Sequence, residues 1–414
     1  MFKWWKNLNL FKKIMLGFAI GIITGLIMGP KASMFSFLGT MLIRLLEMVV
    51  APLILSMLVG AVGEIGDMKT FGSLGIKTIA IYVCCTMFAI ALGLGAGMLF
   101  NVGGGVNINL AGIKAGELKS FVLADTLVNM TPKNIFAALS EPNLLQIIVF
   151  ALIFGFAAIK AGENGKPMLK ALKSLGEVMK SVTNIVLKFT PIGVFGLMAN
   201  VIGSNGVQIL LPYAKCIIAV YAASAFQTIV IHGFIMNKLM AKRSVGSFLK
   251  ASKEAMTFAF ATCSSVATIP LALKATKKLG VPDRISNFII TVGSNMSMDG
   301  IAIYQGVAVV FASQIYGIHL TIAQYILVMI SATIASLGVA GVPGSGLIVL
   351  SIVVKSVGLP MEAVALLAGV DRILNMGRII PNLSVDISAA VLVSKFEGVL
   401  EPELSDEQMA TLGA

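Results

Sequence analysis

One stretch of the chain that is otherwise apolar, residues 369–393, carries a stripe of polar side chains. The stripe is made of five residues three or four positions apart: Asp371, Asn375, Arg378, Asn382 and Asp386. At about 100° per residue, an α-helix brings all five within a sector of roughly 80°. The opposite face is aliphatic, with Ile373, Ile380 and Ile387. The pattern predicts one helix with an apolar side and a charged side.

Such a helix is either a soluble amphipathic helix with its stripe in water or a membrane helix with its stripe buried. The chain is 57% hydrophobic and 12% charged, whereas a soluble domain carries roughly 25% charged residues. The composition therefore favours a polytopic membrane protein. A charge at bilayer depth costs on the order of 3 kcal/mol on insertion scales, so charges on an intramembrane face indicate a functional site.

The formal net charge of +12 would suggest a nucleic-acid partner in a soluble chain. Here the Lys and Arg clusters flank apolar runs, as they do in cytoplasmic loops and ends. Four lysines precede the first run: Lys3, Lys6, Lys12 and Lys13. We therefore expect no nucleic acid as partner, but membrane lipid, with a cytoplasmic N-terminus in the plasma membrane or bacterial inner membrane.

The cysteines and histidines give no sign of catalysis. The four cysteines lie in apolar segments without metal-site spacing: Cys84, Cys85, Cys216 and Cys263. We expect them to be reduced packing residues. The two histidines, His232 and His319, are far apart in sequence and neither has a partner that suggests a reaction. The protein is expected not to be an enzyme.

Apolar runs of about 20 residues are candidate membrane spans. The first two-thirds of the chain contains six of them: 10–29, 36–63, 77–100, 144–162, 175–203 with a bend at Pro191, and 207–236. The polar stretch 101–133 is expected on the side of the membrane opposite the basic clusters. After residue 245 the apolar runs are interrupted by Gly, Ser and Pro.

Three interrupted segments follow. Residues 250–274 contain ATCSSVATIP, 285–314 contain GSNMSMDG at 293–300, and 321–357 contain SLGVAGVPGSG at 336–346. The halves of the last segment are too short to span alone, so we interpret it, and 250–274, as re-entrant hairpins. The alternative is that these glycines only allow close helix packing. Paired interrupted segments are typical of the binding site of a secondary transporter.

The residues themselves suggest the chemistry of that site. Asp299, inside one interruption, and Asp386 each need a positive partner, for which a bound cation is suited. Arg378 needs an anion, and its planar fork suits a carboxylate. The alternative for Arg378 is an internal salt bridge with Asp371, two helical turns away.

Five stretches are typical of one known family: MLIRLLEMVVAPLILSMLVG, TPIGVF, SMDGIAIYQG, SLGVAGVPGSG and VDRILNMGRIIPN. With them the chain resembles the dicarboxylate/amino-acid:cation symporter family, the glutamate-transporter homologues. The resemblance implies an all-α membrane protein of eight transmembrane helices plus two re-entrant hairpins, forming a homotrimer. It implies scaffold regions at 1–76 and 134–206, and a transport domain, moving as an elevator, made of 77–133 (third span and connecting loop) and 207–396. A soluble tail would follow at 397–414.

The resemblance also implies a ligand set. Substrate would contact Ser264, Ser265, Thr268, Val339, Gly341, Pro343, Asp371, Asn375, Arg378 and Asn382. Sodium would use Gly293, Asn295, Ser297, Met298, Asp299, Ser336, Asn382 and Asp386. A third cation site would involve Tyr82, Cys85, Thr86 and Asp299.

The chain departs from the family pattern at several of these positions. Ser297 and Ile301 flank MDG where the family has NMDGT, and Cys85 and Val339 replace threonines. Asn375 stands where amino-acid transporters have an aspartate that holds the substrate ammonium. Asn375 disfavours a plain acidic amino acid and favours a dicarboxylate without an amino group, or a modified or neutral amino acid. The altered cation ligands leave the coupling ion open between Na⁺ and a proton.

These observations predict a symporter that imports a small carboxylate-bearing solute with a cation, expected to be Na⁺. A neutral amino-acid transporter of the same fold and an ion channel are alternatives. A channel would need a continuous polar pathway. An intramembrane aspartyl protease would need two carboxylates sharing a proton at close range, and Asp299 with Asp371 or Asp386 would be the candidates.

Overall fold

The computed structural model describes residues 8, 10–67, 73–105, 128, 131–140, 144–337 and 345–404, and every structural statement below concerns these residues. Within them the regular structure is entirely helical. The first half contains α1 (Leu10–Met28), α2 (Ser36–Asp67), α3 (Ser73–Leu99), α4 (Ile135–Ser140), α5 (Leu144–Lys160), α6 (Lys166–Leu187), α7 (Thr190–Asn205) and α8 (Leu210–Phe226). A 3₁₀ segment, Gly29–Phe35, joins α1 to α2.

A π-helix, Gln227–Met240, continues directly from α8. The second half then contains α9 (Val245–Thr262), α10 (Ser265–Lys278), α11 (Asp283–Met296), α12 (Asp299–Ile315), α13 (Ile322–Leu337), α14 (Ser345–Ser356), α15 (Glu362–Ala368) and α16 (Asp371–Phe396). The pairs α9–α10, α11–α12 and α13–α14 correspond to the three interrupted segments of the sequence.

By length and composition, five helical stretches of the described chain can cross a membrane: Lys12–Leu42, Leu74–Leu99, Val207–Met240, Asp283–Ile315 and Asp371–Phe396. Shorter apolar helices include Val149–Lys160, Thr190–Ser204 and Ile322–Ser336. The chain is therefore a helical protein with several apolar helices. The count of eight spans with two hairpins remains a prediction.

The predicted fifth span, 175–203, is two helices rather than one bent helix. Helix α6 ends at Leu187 and α7 begins at Thr190. Pro191 lies in the first turn of α7, where its missing N–H has no helical partner to lose. The proline therefore begins a helix instead of bending one.

Helices α1 and α7 pack backbone to backbone. An added Cβ at three glycines of α1, spaced four residues apart, would meet a carbonyl oxygen of α7 at 2.2–2.8 Å: Gly17 at Pro191, Gly21 at Phe195 and Gly25 at Ala199. Small residues at this spacing let membrane helices approach closely. Helices α1, α2, α5, α6 and α7 form one packed group.

Helix α3 packs instead with α8, α12, α13 and α16. Its Gly93 lies against the carbonyl of Ile303 in α12, where a Cβ would come within 2.2 Å of the oxygen. Helix α16 lies at the centre of this second group and contacts α3, α8, the π-helix, α9, α10, α11, α12, α14 and α15. The predicted polar helix is thus surrounded by all the interrupted segments described.

The short segment after α16, residues 398–404, is hydrogen-bonded to the rest of the protein, and we name it the C-terminal strap. The backbone N–H of Glu401 donates to the Gly280 carbonyl at 2.9 Å, and that of Leu404 donates to the Lys278 carbonyl at 3.0 Å. Just before the strap, Lys77 pairs with Glu397 at 2.8 Å. The predicted soluble tail therefore begins with residues held against α3 and the loop between α10 and α11.

Candidate substrate and cation site

The polar stripe of α16 faces the protein interior. Its five residues are 1–7% exposed: Asp371, Asn375, Arg378, Asn382 and Asp386. Within the same helix Pro381 cannot donate to the carbonyl four residues earlier, that of Gly377. The buried charges are stabilised only if each finds a partner. Polar groups of the neighbouring elements lie at three places around α16.

The first place is the guanidinium of Arg378. Its Nη1 lies 2.8 Å from Oδ1 of Asp371, and its Nε donates to Oδ1 of Asn375 at 3.2 Å. The ring of Tyr304 lies beneath the group, 4.4 Å from Cζ to the centroid. The internal salt bridge, which the sequence left as an alternative, is the arrangement in this structure. Positions seven apart on a helix lie on one face, which allows it.

The same guanidinium lies against the start of α14. A Cβ added at Gly346 would be 2.4 Å from Nη2, 2.5 Å from Cζ and 2.8 Å from Nη1 of Arg378. Gln305 donates to the Gly346 carbonyl at 3.1 Å and so holds this backbone in place. Guanidinium has five N–H donors, and Asp371 and Asn375 use two of them. Arg378 therefore keeps donors for an anion at the N-terminus of α14, where the helix dipole also favours negative charge.

The second place is the tip between α9 and α10. Cys263 adopts the left-handed conformation, with φ 56° and ψ 38°, and ends α9. Ser264 caps α10 by accepting from the Ala267 N–H at 3.2 Å, and Thr268 donates to the Ser264 carbonyl at 2.7 Å. The hydroxyl of Ser265 is buried and has no hydrogen-bond partner among the described residues. Of the predicted substrate residues, Ser264 and Thr268 thus form hydrogen bonds within the tip, whereas the Ser265 hydroxyl is available to a ligand.

The third place is the interruption between α11 and α12. Ser297 and Met298 leave the helical conformation, so the break is shorter than the predicted 293–300. The Gly300 N–H donates to Oδ1 of Asn382 at 2.6 Å. Ser297 donates to Asp386 in a short hydrogen bond. The break and the far end of the stripe therefore form one polar cluster.

Tyr82 belongs to the Asp386 cluster. A Cβ added at Gly293 would lie 2.2 Å from Oδ1 of Asp386 and 2.3 Å from the Tyr82 hydroxyl. The two oxygens therefore meet over the bare backbone of Gly293. Tyr82 also donates to the Ile289 carbonyl at 3.3 Å. Of the four residues predicted for the third cation site, Tyr82 lies beside Asp386, whereas Cys85 and Thr86 lie beside Asp299.

Asp299 is fully buried and has three hydrogen-bonding neighbours. Thr86 donates to Oδ1 at 3.0 Å, and Gln227 donates to Oδ2 at 3.0 Å. His232 lies with Nε2 at 3.1 Å from the same Oδ2. One ligand atom each of Cys85, His232 and Asp299 lie within 4.8 Å of one another. The predicted neighbours Cys85 and Thr86 are in place, together with two residues that the sequence did not suggest.

Sequence reasoning found no partner for His232, because Asp299 and Ser384 are distant in the chain, and it did not single out Gln227. In an α-helix, residues five apart point about 140° from each other, but the i→i+5 hydrogen bonds of a π-helix align them. Gln227, His232 and Asn237 are accordingly all buried, and the Asn237 side chain donates to the His232 carbonyl at 2.7 Å. On its other side, Nδ1 of His232 lies 2.6 Å from the Ser384 hydroxyl of α16.

The remaining predicted residues fall into two sets. Val339, Gly341 and Pro343 lie outside the described residues, as does the side chain of Asn295, whose backbone is in α11. The Ser336 hydroxyl, at the end of α13, is fully buried and has no partner in the described chain. A buried oxygen without a donor fits a small hard cation, for which carboxylates, hydroxyls and carbonyls are the preferred ligands.

In this protein, interrupted apolar helices meet at buried carboxylates and an arginine. This arrangement is typical of ion-coupled secondary transporters, in which the ends of interrupted helices and nearby side chains bind the solute and the ion inside the protein. This architecture is consistent with a multi-pass membrane protein.

Comparison with known sequences identifies the family. The sodium:dicarboxylate symporter family matches residues 10–396, and the chain belongs to this family. The protein is therefore a symporter, in a family of transporters rather than enzymes. The family assignment agrees with the resemblance found in the sequence motifs.

Three relatives show the range of the family. The chain is 35% identical to the proton/sodium-glutamate symport protein of Bacillus caldotenax, over 98% of this chain and 99% of the relative. It is 32% identical to the proton/glutamate-aspartate symporter of Escherichia coli (strain K12), over 87% and 84%. It is 29% identical to the C4-dicarboxylate transport protein of Anaeromyxobacter sp. (strain K), over 95% and 91%.

Proposed function

We propose that this symporter imports a small carboxylate-bearing solute together with Na⁺. The observation that carries the proposal is the Arg378 guanidinium, which is buried beside the start of α14 and pairs with Asp371 and Asn375 through only two of its five N–H donors. A carboxylate fits there because it accepts from the remaining donors of the fork and from the helix N-terminus. The named substrates of the relatives, glutamate, aspartate and C4-dicarboxylates, all carry carboxylates.

The cation is cargo in this proposal, held by buried oxygens. Asp386, the Gly293 backbone and the Tyr82 hydroxyl meet at one point, and the free Ser336 hydroxyl is a further oxygen ligand. The Asn382 amide links the two sites, since it bonds Gly300 beside Asp299 and lies one turn from Arg378. Binding of the cation would fix the break between α11 and α12 and thereby the substrate-binding face of α16.

We further propose that the second packed group of helices moves as one body against the first, as an elevator, in a homotrimer in the plasma or inner membrane with a cytoplasmic N-terminus. The separation of packing supports this division, because α1, α2, α5, α6 and α7 contact one another whereas α3 packs with α8 and α12. The division corresponds to the scaffold and transport regions expected from the sequence. Membrane lipid would cover the exposed apolar side chains of α1, such as Ile23 and Ile27.

The proposal is tested by uptake into proteoliposomes. Labelled L-glutamate, L-aspartate and succinate are offered under an inward Na⁺ gradient, an inward proton gradient or no gradient. We expect saturable accumulation of at least one solute that depends on the Na⁺ gradient. Arg378→Ala should abolish it, while Asp283→Asn, at an exposed carboxylate, should leave it unchanged.

Three outcomes would contradict the proposal. Accumulation driven only by the proton gradient would replace Na⁺ as the coupling ion. Equilibration without accumulation would indicate a channel. Uptake that survives Arg378→Ala would remove this residue from the substrate site.

A further inference from the structure

Sulfur and nitrogen ligands of the kind that bind transition metals surround Asp299. One ligand atom each of Cys85, His232 and Asp299 lie within 4.8 Å of one another, and the three residues are 8%, 0% and 0% exposed. The thioether of Met236 extends the set, since its sulfur lies 3.7 Å from the Cys85 sulfur. Thiolate and imidazole are ligands of zinc and related metals, whereas hard cations such as Na⁺ prefer oxygen. This cluster therefore differs in chemistry from the oxygen site proposed for Na⁺ at Asp386.

The hydrogen bonds of His232 direct a lone pair into this cluster. Ser384 donates to the Pro381 carbonyl at 3.2 Å, so its oxygen accepts from Nδ1 of His232 at 2.6 Å. In that tautomer the neutral imidazole has a lone pair at Nε2, which lies 3.1 Å from Oδ2 of Asp299. Two acceptors at this distance repel each other unless a cation binds both. Histidines that bind metals donate their other ring N–H in the same way.

Gln227 adds a buried oxygen that needs a partner. Its Nε2 donates to Oδ2 of Asp299 at 3.0 Å and to the Cys85 carbonyl at 3.4 Å, which uses both amide hydrogens inside the cluster. Its Oε1 is on the same amide, is buried, and has no hydrogen-bond partner among the described residues. An oxygen in this position is costly to bury, and a cation in the cluster supplies the missing partner.

The charges of the cluster favour a divalent ion. A cysteine binds a metal as the thiolate, so binding releases the proton of the Cys85 thiol to solvent. The thiolate and the Asp299 carboxylate then carry two negative charges, which a divalent cation neutralises within the buried site. Thr86 donates to Oδ1 of Asp299 at 3.0 Å and thereby orients the carboxylate, as groups next to metal ligands commonly do.

We propose that Cys85, His232 and Asp299 bind a divalent transition-metal ion such as Zn²⁺, with the Gln227 oxygen as the fourth ligand of a tetrahedral site. The ion would connect α3, the π-helix and the start of α12, because these elements carry the three principal ligands. It would thereby hold the break between α11 and α12 in one conformation and inhibit uptake. The inhibition rests on the proposed function, whereas the binding of the metal does not.

The binding is tested by titrating Co²⁺ into the purified full-length protein, freed of any affinity tag. Co²⁺ bound by a thiolate has an intense sulfur-to-metal charge-transfer band, which we expect in wild type and which Zn²⁺ should displace. Cys85→Ser should abolish the band, and both Cys85→Ser and His232→Gln should weaken Co²⁺ binding by about tenfold or more, a loss already typical of groups that only support a ligand. Cys84→Ser, at the adjacent and exposed cysteine, is the matched control and should keep both the band and the affinity.

The inhibition is tested in proteoliposomes. Zn²⁺ should reduce gradient-driven uptake by wild type and by Cys84→Ser, and a chelator should restore it. Cys85→Ser, compared with its own uptake without metal, should need about tenfold or more Zn²⁺ for the same reduction.

Other results overturn the inference. A wild-type Co²⁺ spectrum without the charge-transfer band, or a band that persists in Cys85→Ser, would mean that Cys85 is not a ligand. Equal inhibition of wild type and Cys85→Ser would place the inhibitory ion elsewhere on the protein. If His232→Gln does not fold, Cys85→Ser decides, since serine differs from cysteine only in the ligand atom. Failure of the proposed function is distinguishable, because wild type would then show no gradient-driven uptake without metal, while the Co²⁺ spectrum still reports the site.

Discussion

At the scale of single residues, each buried charge of the site has a charged or polar partner. Asp371 and Arg378 form a pair whose side chains are 11% and 1% exposed. Asp299 accepts from Thr86 and Gln227 and lies 3.1 Å from Nε2 of His232. These contacts explain how a protein can keep a charged face inside an apolar body. In the proposed function, a solute carboxylate would share Arg378 with Asp371 rather than meet a free charge.

Asp371→Asn should destabilise the protein by about 3 kcal/mol, because it leaves the buried Arg378 guanidinium without its counter-ion. A carboxylate ligand would then supply the missing charge, so its stabilising effect should be larger in the variant than in wild type. The measurement is the melting temperature with and without the solute that is accumulated most strongly among L-glutamate, L-aspartate and succinate. Asp283→Asn, at an exposed position, is the control. An unchanged melting temperature would show that Asp371 does not neutralise Arg378.

At the scale of elements, interruptions and ends decide what the helices can do. The two-residue break at Ser297 and Met298 brings Gly300 to Asn382 of α16, and the π-helix brings Gln227 and His232 to Asp299. The C-terminal strap acts at the opposite end of these helices. It joins α16 to the loop that follows α10, so the tip that carries Ser265 and the helix that carries Arg378 are also connected at their other ends.

Gly280→Ala should therefore destabilise the protein more than an ordinary glycine substitution. Gly280 has φ +80°, and an added Cβ would lie 2.1 Å from the Glu401 carbonyl oxygen of the strap. Gly317→Ala is the matched control, since its φ is +64° and nothing lies within 4 Å. The control should lose about 1 kcal/mol of its free energy of unfolding, because alanine is disfavoured in the left-handed conformation. Equal melting temperatures for the two variants would mean that the strap does not hold this loop.

At the scale of the whole molecule, the two packed groups of helices make fewer contacts with each other than within themselves. One is between α7 and the loop just before α16, where a Cβ at Gly369 would lie 2.7 Å from the Met198 side chain. Others join α2 to α11 and to α14. Limited contact between two internally well-packed groups is the arrangement that lets one slide against the other.

A cross-link between the two groups should stop transport without preventing solute binding. Cysteines at positions 198 and 369 are introduced into a Cys84→Ser background, because Cys84 is the exposed native cysteine. After treatment with mercuric ion we expect no uptake, but the transported solute should still raise the melting temperature. Uptake should recover when a thiol is added. Each single-cysteine variant is the control. Full uptake by the cross-linked protein would rule out relative movement at this contact.

Local patterns in the amino-acid sequence are sufficient to assign the class of protein and to identify its central helix. Long apolar runs must be helical in a membrane, and the 3.6-residue period alone places the five polar residues of α16 on one face. The sequence also locates the interruptions, because Gly and Pro disfavour a continuous helix wherever they cluster. These are local properties, set by residues near one another in the chain.

The partner of each buried charge, in contrast, is selected by long-range packing. The pairing of Arg378 with Asp371 and the contact of His232 with Asp299 involve alternatives of similar local energy or residues far apart in sequence. The π-helix is the clearest case, because a change of helical period moves two residues onto the site that an α-helix would point elsewhere. Such choices depend on how distant segments pack together, which no local pattern records.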